Sequence, residues 1–326
     1  MENNELLEHF DRMLRSACTP AAIREVEEGG SFDSMWEPIA QSGFLDALVS
    51  ENAGGFGLTL AEIQPLLRAL GRHAVPLPVG ETMVARAMLA NAGLDLPPGP
   101  ITLAVALHGA GMPVPFGKTC AHALVDFGDV CELVSADAAG LVTTGVRGSV
   151  DAMLTLTGSG GGRHIERPDN GLLPIAAVLR AISMAGAADH LLEMTTAYAN
   201  ERVQFGKPIG RQQALQQQLA VMAEDVVAMR MAAQLACAGG WPLNLAAVAT
   251  AKSIASTAAP RIAATAHAVH GAIGISEEFD LQLYTRRLHE WRLAHGAETY
   301  WNRILGAARL EADRCSIDWI RDAIFA

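Results

Sequence analysis

The stretch "ERVQFGKPIGRQQALQQQLA", residues 201–220, connects two long segments of helical apolar periodicity. A joint between helices needs only a few turn-forming residues, and this one carries far more. It places Arg202, Gln204 and Phe205 at a helix end, breaks the chain at Gly206–Lys207–Pro208, and runs on into glutamines that include Gln213. An arginine and a flat aromatic so close together suit a ligand that is part phosphate and part ring, with the guanidinium taking the anion. A plainer reading is open beside it: Arg202 in a structural salt bridge and Phe205 in the core.

The flanking pattern makes the C-terminal half helical. Leu172, Ile175, Ala176, Leu179 and Ile182 form one stripe, and Leu215, Leu219, Met222, Val226 and Met229 form a narrow seam suited to bundle packing. Gly239–Gly240 end that second helix. An Ala-rich segment from about Leu243 to His270 follows, and Pro260 within it predicts a kink. A last helix is expected over roughly 279–313, which completes a four-helix bundle.

Two other textures precede the bundle. In the N-terminal region Leu60, Ile63, Leu66, Leu67 and Leu70 sit at helical spacing, and Gly71 reads as the stop. Farther on, "ITLAVAL", "AHALVDF", "CELVSA" and "AMLTLTG" read as short strands separated by Gly, Pro and Asp. "GSGGG" at 158–162 reads as a flexible linker, because the GxxxxGK[ST] pattern of a phosphate loop is absent and no helix opens on the glycines. The fold class is therefore mainly α with a small β domain. Its expected parts are an N-terminal helical domain (1–97), a reduced β domain (98–162) and a C-terminal four-helix bundle (163–326).

The chain has 326 residues, 50% of them hydrophobic, enough for a large core. A net charge of −11 without clustered Lys/Arg speaks against nucleic acid and against an acidic membrane surface as partners. No apolar run reaches the ~18 residues of a membrane span. The acidic, amphipathic start "MENNELLEHFDRML" does not read as a signal peptide. Cys18, Cys120, Cys131, Cys237 and Cys315 are scattered without metal-ligand spacing, which predicts buried thiols of a cytoplasmic protein and neither disulfides nor a zinc site.

A second motif is "HGAIGISEEFDLQLYTRR", residues 270–287. A helix ends at His270–Gly271, small residues at 271, 272 and 274 let a ligand approach the backbone, and Ser276 reads as an N-cap region. Alone, it also fits an ordinary turn between helices.

Taken in order, "YANERVQFGKPIG" and, about seventy residues on, "HGAIGIS" with "LYTRR" resemble the acyl-CoA dehydrogenase family. "GFLDALVSENAGGFGLT", "RALGRHAVPLPVGETMVARAML" and "VPFGKTCAHALV" are similar to its N-terminal segments and the start of its β domain, so the resemblance covers most of the chain. It implies FAD as cofactor and an acyl-CoA thioester as substrate. A carboxylate base takes the α-proton while a hydride leaves Cβ for the flavin. It also implies oligomers built through the bundle. In them Arg202, Gln204 and Phe205, with Gln213 nearby, reach the FAD of a neighbouring subunit, and the turn at Gly271 and Gly274 contacts the same cofactor.

The chain departs from the family pattern where the chemistry is done. The "YEGT" position of the family's base falls on His295, before Gly296, and the alternative position of the base falls on Ala176. An imidazole, with a pKa near ~6.5, can in principle accept the proton; the other reading is that His295 merely fills the position. The "TEPxAGSD" loop and "KxxITN" strand that wrap the flavin are not found, and Ala268 and Ala272 replace a glutamine and a glycine. The catalytic residue is thus unknown. "LYTRR" and the short β domain are closer to members often linked to steroid side chains and other bulky acyl groups. In those, two different homologous chains assemble and one supplies most of the catalytic apparatus. Three possibilities follow. The chain is a subunit of a heteromeric FAD-dependent dehydrogenase (a heterotetramer) that contributes to its partner's flavin site, a self-sufficient homo-oligomeric dehydrogenase with an unrecognised base, or a flavin-free acyl-CoA-binding or scaffold relative. The retained "RVQFG" and the missing flavin loops together favour the first.

Overall fold

The computed structural model describes residues 2–106, 112–137, 140–155 and 162–325. They form two compact units: Met1–Leu70 with Val75–Leu179, and Gly71–Ala74 with Arg180–Ala326.

The first unit holds helices α1 (Glu2–Ala17), α2 (Pro20–Glu27) and α3 (Asp33–Gln41), all but the end of α4 (Leu60–Arg72), and α5 (Val79–Asn91). Local chemistry sets their starts. Thr19 accepts from Ala22 N with Pro20 at the first helical position, and Thr59 and Glu62 cap each other's backbone N–H ahead of α4. Ile63, Leu66, Leu67 and Leu70 are buried as their spacing predicts.

The same unit holds strands β1 (Ile101–Val105), β2 (Met112–Val114), β3 (His122–Asp126), β4 (Val130–Ser135), β5 (Gly140–Thr143), β6 (Ala152–Thr155) and β7 (Arg163–Glu166). One sheet has the order β1-β3-β4-β7 and the other β2-β6-β5. β1 runs parallel to β3; the remaining pairs are antiparallel. The four expected strands are β1, β3, β4 and β6. The other three are short and interrupted by proline, glycine or charge, so no alternation marks them. β7 pairs with β4, Cys131 opposite Ile165, so the sheet continues past residue 162, where composition had put its end. Residues 158–161 of the expected linker lie outside the described residues.

Asp126, buried at the end of β3, accepts from Arg167 Nε at 2.6 Å and from the N–H groups of Gly128 and Leu172, each at 2.9 Å. Leu172 opens α6 (Leu172–Glu201), so one carboxylate ties the sheet to that helix. Burial alone would raise its pKa; Arg167 and the two N–H groups hold it below the usual carboxylate value.

The second unit contains α6 from Arg180 onward, α7 (Gln213–Ala238), α8 (Leu245–His270), α9 (Leu281–Leu293), α10 (Glu298–Glu311) and α11 (Ser316–Ile324). The expected stripe on α6 is buried, and so are Ala177, Val178 and Ala181 beside it. This helix is long and apolar enough to cross a membrane, which a search for an unbroken apolar run overlooks, but most of that apolar window is covered by the protein itself. On α7, Met222, Val226 and Met229 are buried, while Leu215 and Leu219 are half-buried. α8 starts on Asn244, whose side chain accepts from Ala246 N and Ala247 N, and runs through Pro260 as one helix.

Several boundaries differ from the sequence reading. Gly71 does not stop α4, which continues to Arg72. A Cβ there would lie 1.9 Å from Ser183 O, so this glycine exists for a close backbone crossing. Ser276 accepts weakly from Glu278 N at 3.4 Å, but α9 begins only at Leu281. The expected single last helix is two, because His295 and Gly296 take left-handed φ values of 57° and 88° between α9 and α10. All five cysteines are free; Cys18, Cys131 and Cys237 are buried as expected, whereas Cys120 is half-buried and Cys315 exposed.

Candidate functional site

The connection at 201–212 is a built hairpin. α6 ends at Glu201, and strands β8 (Val203–Gln204) and β9 (Lys207–Pro208) pair antiparallel with Gln204 opposite Lys207. Its root is closed by Arg202 N donating to Tyr198 O at 2.9 Å and Ile209 N donating to Arg202 O at 2.8 Å. The two tip residues, Phe205 and Gly206, have φ of 54° and 76°, the signs a type I′ turn requires. Glycine adopts this freely; phenylalanine does so at a cost of about 1–2 kcal/mol.

That strained phenylalanine is 90% exposed. The plainer reading, a core Phe205, is therefore excluded. Arg202, Gln204, Lys207, Arg211 and Gln213 are exposed with it, and Arg202 makes no side-chain ion pair among the described residues. The tip thus presents an aromatic face with cations around it on a chain that is acidic as a whole.

The fold brings the second motif to the same place. Ala199 and Ile209, at the hairpin root, form one buried cluster with Val269 of α8, and Leu215 and Leu219 pack against it. Tyr198 stacks on His270 at 4.5 Å between centroids and its hydroxyl donates to His270 O at 3.4 Å. Gly271 follows with φ 60° and open space where a Cβ would stand, so it is exposed backbone beside the hairpin root. Gly274 differs. It is buried, and a Cβ would lie 2.9 Å from His270 Cβ and 3.0 Å from Leu281, so packing suffices to explain it.

His295 stands in the turn between α9 and α10, half-buried, with both ring nitrogens inside the protein. Its carbonyl accepts from Trp301 Nε1 at 3.1 Å. The carboxylate nearest in sequence, Glu298, is paired with Arg292, which holds it ionised below the usual carboxylate range and makes it a poor base. Ala176, the alternative position, is fully buried. The residue the sequence reading missed is Lys252. Within an Ala-rich helix it reads as a solvated charge, and only packing reveals it as wholly buried.

Residues 170–310 match the acyl-CoA dehydrogenase C-terminal domain. Along most of its length the chain is 32% identical to the acyl-CoA dehydrogenase IpdE2 of Mycobacterium tuberculosis, an alignment covering 88% of this chain and 91% of that one. The chain belongs to the acyl-CoA dehydrogenase family. Among solved structures, this acyl-CoA dehydrogenase relative superposes on the Tcur3481–Tcur3483 steroid ACAD with a TM-score of 0.81 and 25% identity, over 95% of this chain and 98% of that one. It superposes on one chain of the ChsE4–ChsE5 complex of Mycobacterium tuberculosis with a TM-score of 0.78 and 24% identity, over 96% of this chain and 98% of that one. The fold is that of an acyl-CoA dehydrogenase.

Proposed function

We propose that this chain is one subunit of a heteromeric, FAD-dependent acyl-CoA dehydrogenase and lends its hairpin to the flavin site of a homologous partner chain. The observation that carries the reading is Phe205: a large aromatic held in a strained left-handed tip with 90% of its surface uncovered. Strain of this kind persists where the surrounding structure imposes it for a purpose. Nothing in the chain's own described residues uses the ring, so its use lies in another molecule.

The residues present fit that role. Arg202 supplies a charge-assisted contact to a pyrophosphate, Phe205 a face for an aromatic ring, Gln204 and Gln213 amides, and Gly271 open backbone. Gly274 supports the turn from inside. Bound FAD would accept the hydride removed from Cβ of the acyl thioester. In this reading the chain's part is binding and orientation, with the α-proton taken by a carboxylate of the partner, because Glu298 is committed to Arg292 and His295 stands at the usual base position. Support for two unlike chains comes from the ChsE4–ChsE5 complex and the paired Tcur3481–Tcur3483 protein, and the latter's steroid substrate class suggests a bulky acyl group.

Purification of the chain alone and after co-expression with a homologous family member tests this. The expected outcome is a colourless chain by itself and a yellow complex that oxidises an acyl-CoA. A yellow, active homo-oligomer would replace the proposal with a self-sufficient enzyme. A colourless complex would leave a flavin-free scaffold.

A further inference from the structure

Lys252, on α8, has no exposed surface. Its three N–H groups are shared among four acceptors: Gly296 O at 2.8 Å, Arg292 O at 2.9 Å, Trp291 O at 3.0 Å and Ser256 Oγ at 3.1 Å. Three of these acceptors are main-chain carbonyls at the C-terminal end of α9 and in the turn that leads to α10. A helix leaves its last carbonyls without intrahelical partners, and a cation there also meets the negative end of the helix dipole. Here the cation comes from a different helix, so its bonds cross from α8 to the turn. Arg292 paired with Glu298 and Trp301 Nε1 bonded to His295 O close the turn from its other sides. Between these ties His295 is held at a positive φ that side chains avoid.

We infer that Lys252 is the positioning residue of the α9–α10 turn: its ammonium ties the turn to α8 and fixes the residue at position 295, and the tie loosens when the ammonium gives up its proton. The inference concerns the chain's own contacts and does not depend on the hairpin meeting a flavin. Position 295 is where the family resemblance places the group facing the substrate, so the lysine acts on that position through the backbone.

The surroundings make the proton loosely held. Burial, and then Arg180 on α6, pull the amine down to about 7, with Arg292 on α9 acting the same way and Glu298 on α10 opposing them. Arg180 lies over the Trp291 ring, 5.9 Å from its centroid, and His295 is the remaining titratable group of the turn. A neutral amine has two N–H groups and a lone pair. Ser256 can donate to the lone pair, but three carbonyls then compete for two donors and one goes unmatched.

Hydrogen exchange on the intact chain tests this at the amides the turn organises: Ala294, bonded to Glu290 O, and Tyr300 and Trp301, bonded to Ala297 O. Lys252→Met keeps length and removes the charge. The expected result at pH 6 is exchange at least tenfold faster at these amides, with α7 unchanged. Exchange equal to the unmodified chain would make Lys252 a core filler and overturn the inference. Should Lys252→Met not fold, the unmodified chain decides. After correction for intrinsic exchange, protection at the three amides should fall about tenfold between pH 6 and pH 9, and constant protection overturns the inference.

Discussion

Replacing Phe205 with glycine should move stability and cofactor retention in opposite directions. The backbone at Phe205 has φ 54°, a conformation costing a side-chain-bearing residue about 1–2 kcal/mol and glycine little. Against that gain stands glycine's greater freedom in the unfolded chain, roughly 0.5–1 kcal/mol. The ring is 90% exposed, so almost no packing is lost within the chain. The chain itself should therefore change in stability by about 0 to +1.5 kcal/mol. In the assembled complex the ring would be buried on the cofactor, and burying a phenylalanine fully contributes about 1.5–3 kcal/mol. FAD affinity should then fall roughly ten- to a hundredfold. Thermal unfolding of the isolated chain gives the first quantity. FAD titration of the co-expressed, flavin-stripped complex gives the second. If Phe205→Gly lowers the chain's stability by more than about 1 kcal/mol, the ring is structural after all. If FAD affinity is unchanged in an intact complex, the hairpin does not serve the flavin.

Arg202→Ala should lower flavin affinity by a charge-assisted contact, about 1.5–3 kcal/mol, with assembly intact by light scattering; unchanged occupancy would remove the pyrophosphate assignment. His295→Ala should leave turnover of the complex within about tenfold, because the proton goes to the partner's carboxylate, whereas a loss of about a hundredfold or more would make His295 the base. Asp126→Ala should destabilise by about 2–3 kcal/mol in denaturant titration, since the buried N–H of Leu172 and the guanidinium of Arg167 lose their acceptor. The folded carboxyl titrates below its ordinary value, so its contribution is present at neutral pH and lost as pH falls below ~4; the variant should lack that part of the acid dependence. Gly71→Ala should cost about 2–3 kcal/mol or prevent folding, because the new Cβ would stand 1.9 Å from Ser183 O.

Much of the molecule was legible because periodicity and punctuation are local. The stripe on α6, the seam on α7, the ends of α8 and the glycines after α7 follow from apolar spacing and capping, and the helices lie where that spacing places them. The ordered motifs at 201–209 and 270–287 point to the family from the sequence alone. What the chain alone left open were questions of neighbourhood. Residue spacing could not tell a core phenylalanine from a projecting one, and only the hairpin geometry shows Phe205 uncovered. Nor could it tell a glycine that ends a helix from one that admits another backbone, as Gly71 does, or a glycine left open from one packed inside, as Gly271 and Gly274 are. Lys252 is the sharpest case. A lysine in a helix of small residues belongs on the surface by its solvation, and it is buried because carbonyls from a turn some forty residues later replace the water. Propensity is a property of a few adjacent residues, while burial, pairing and strain belong to segments the chain brings together only when folded.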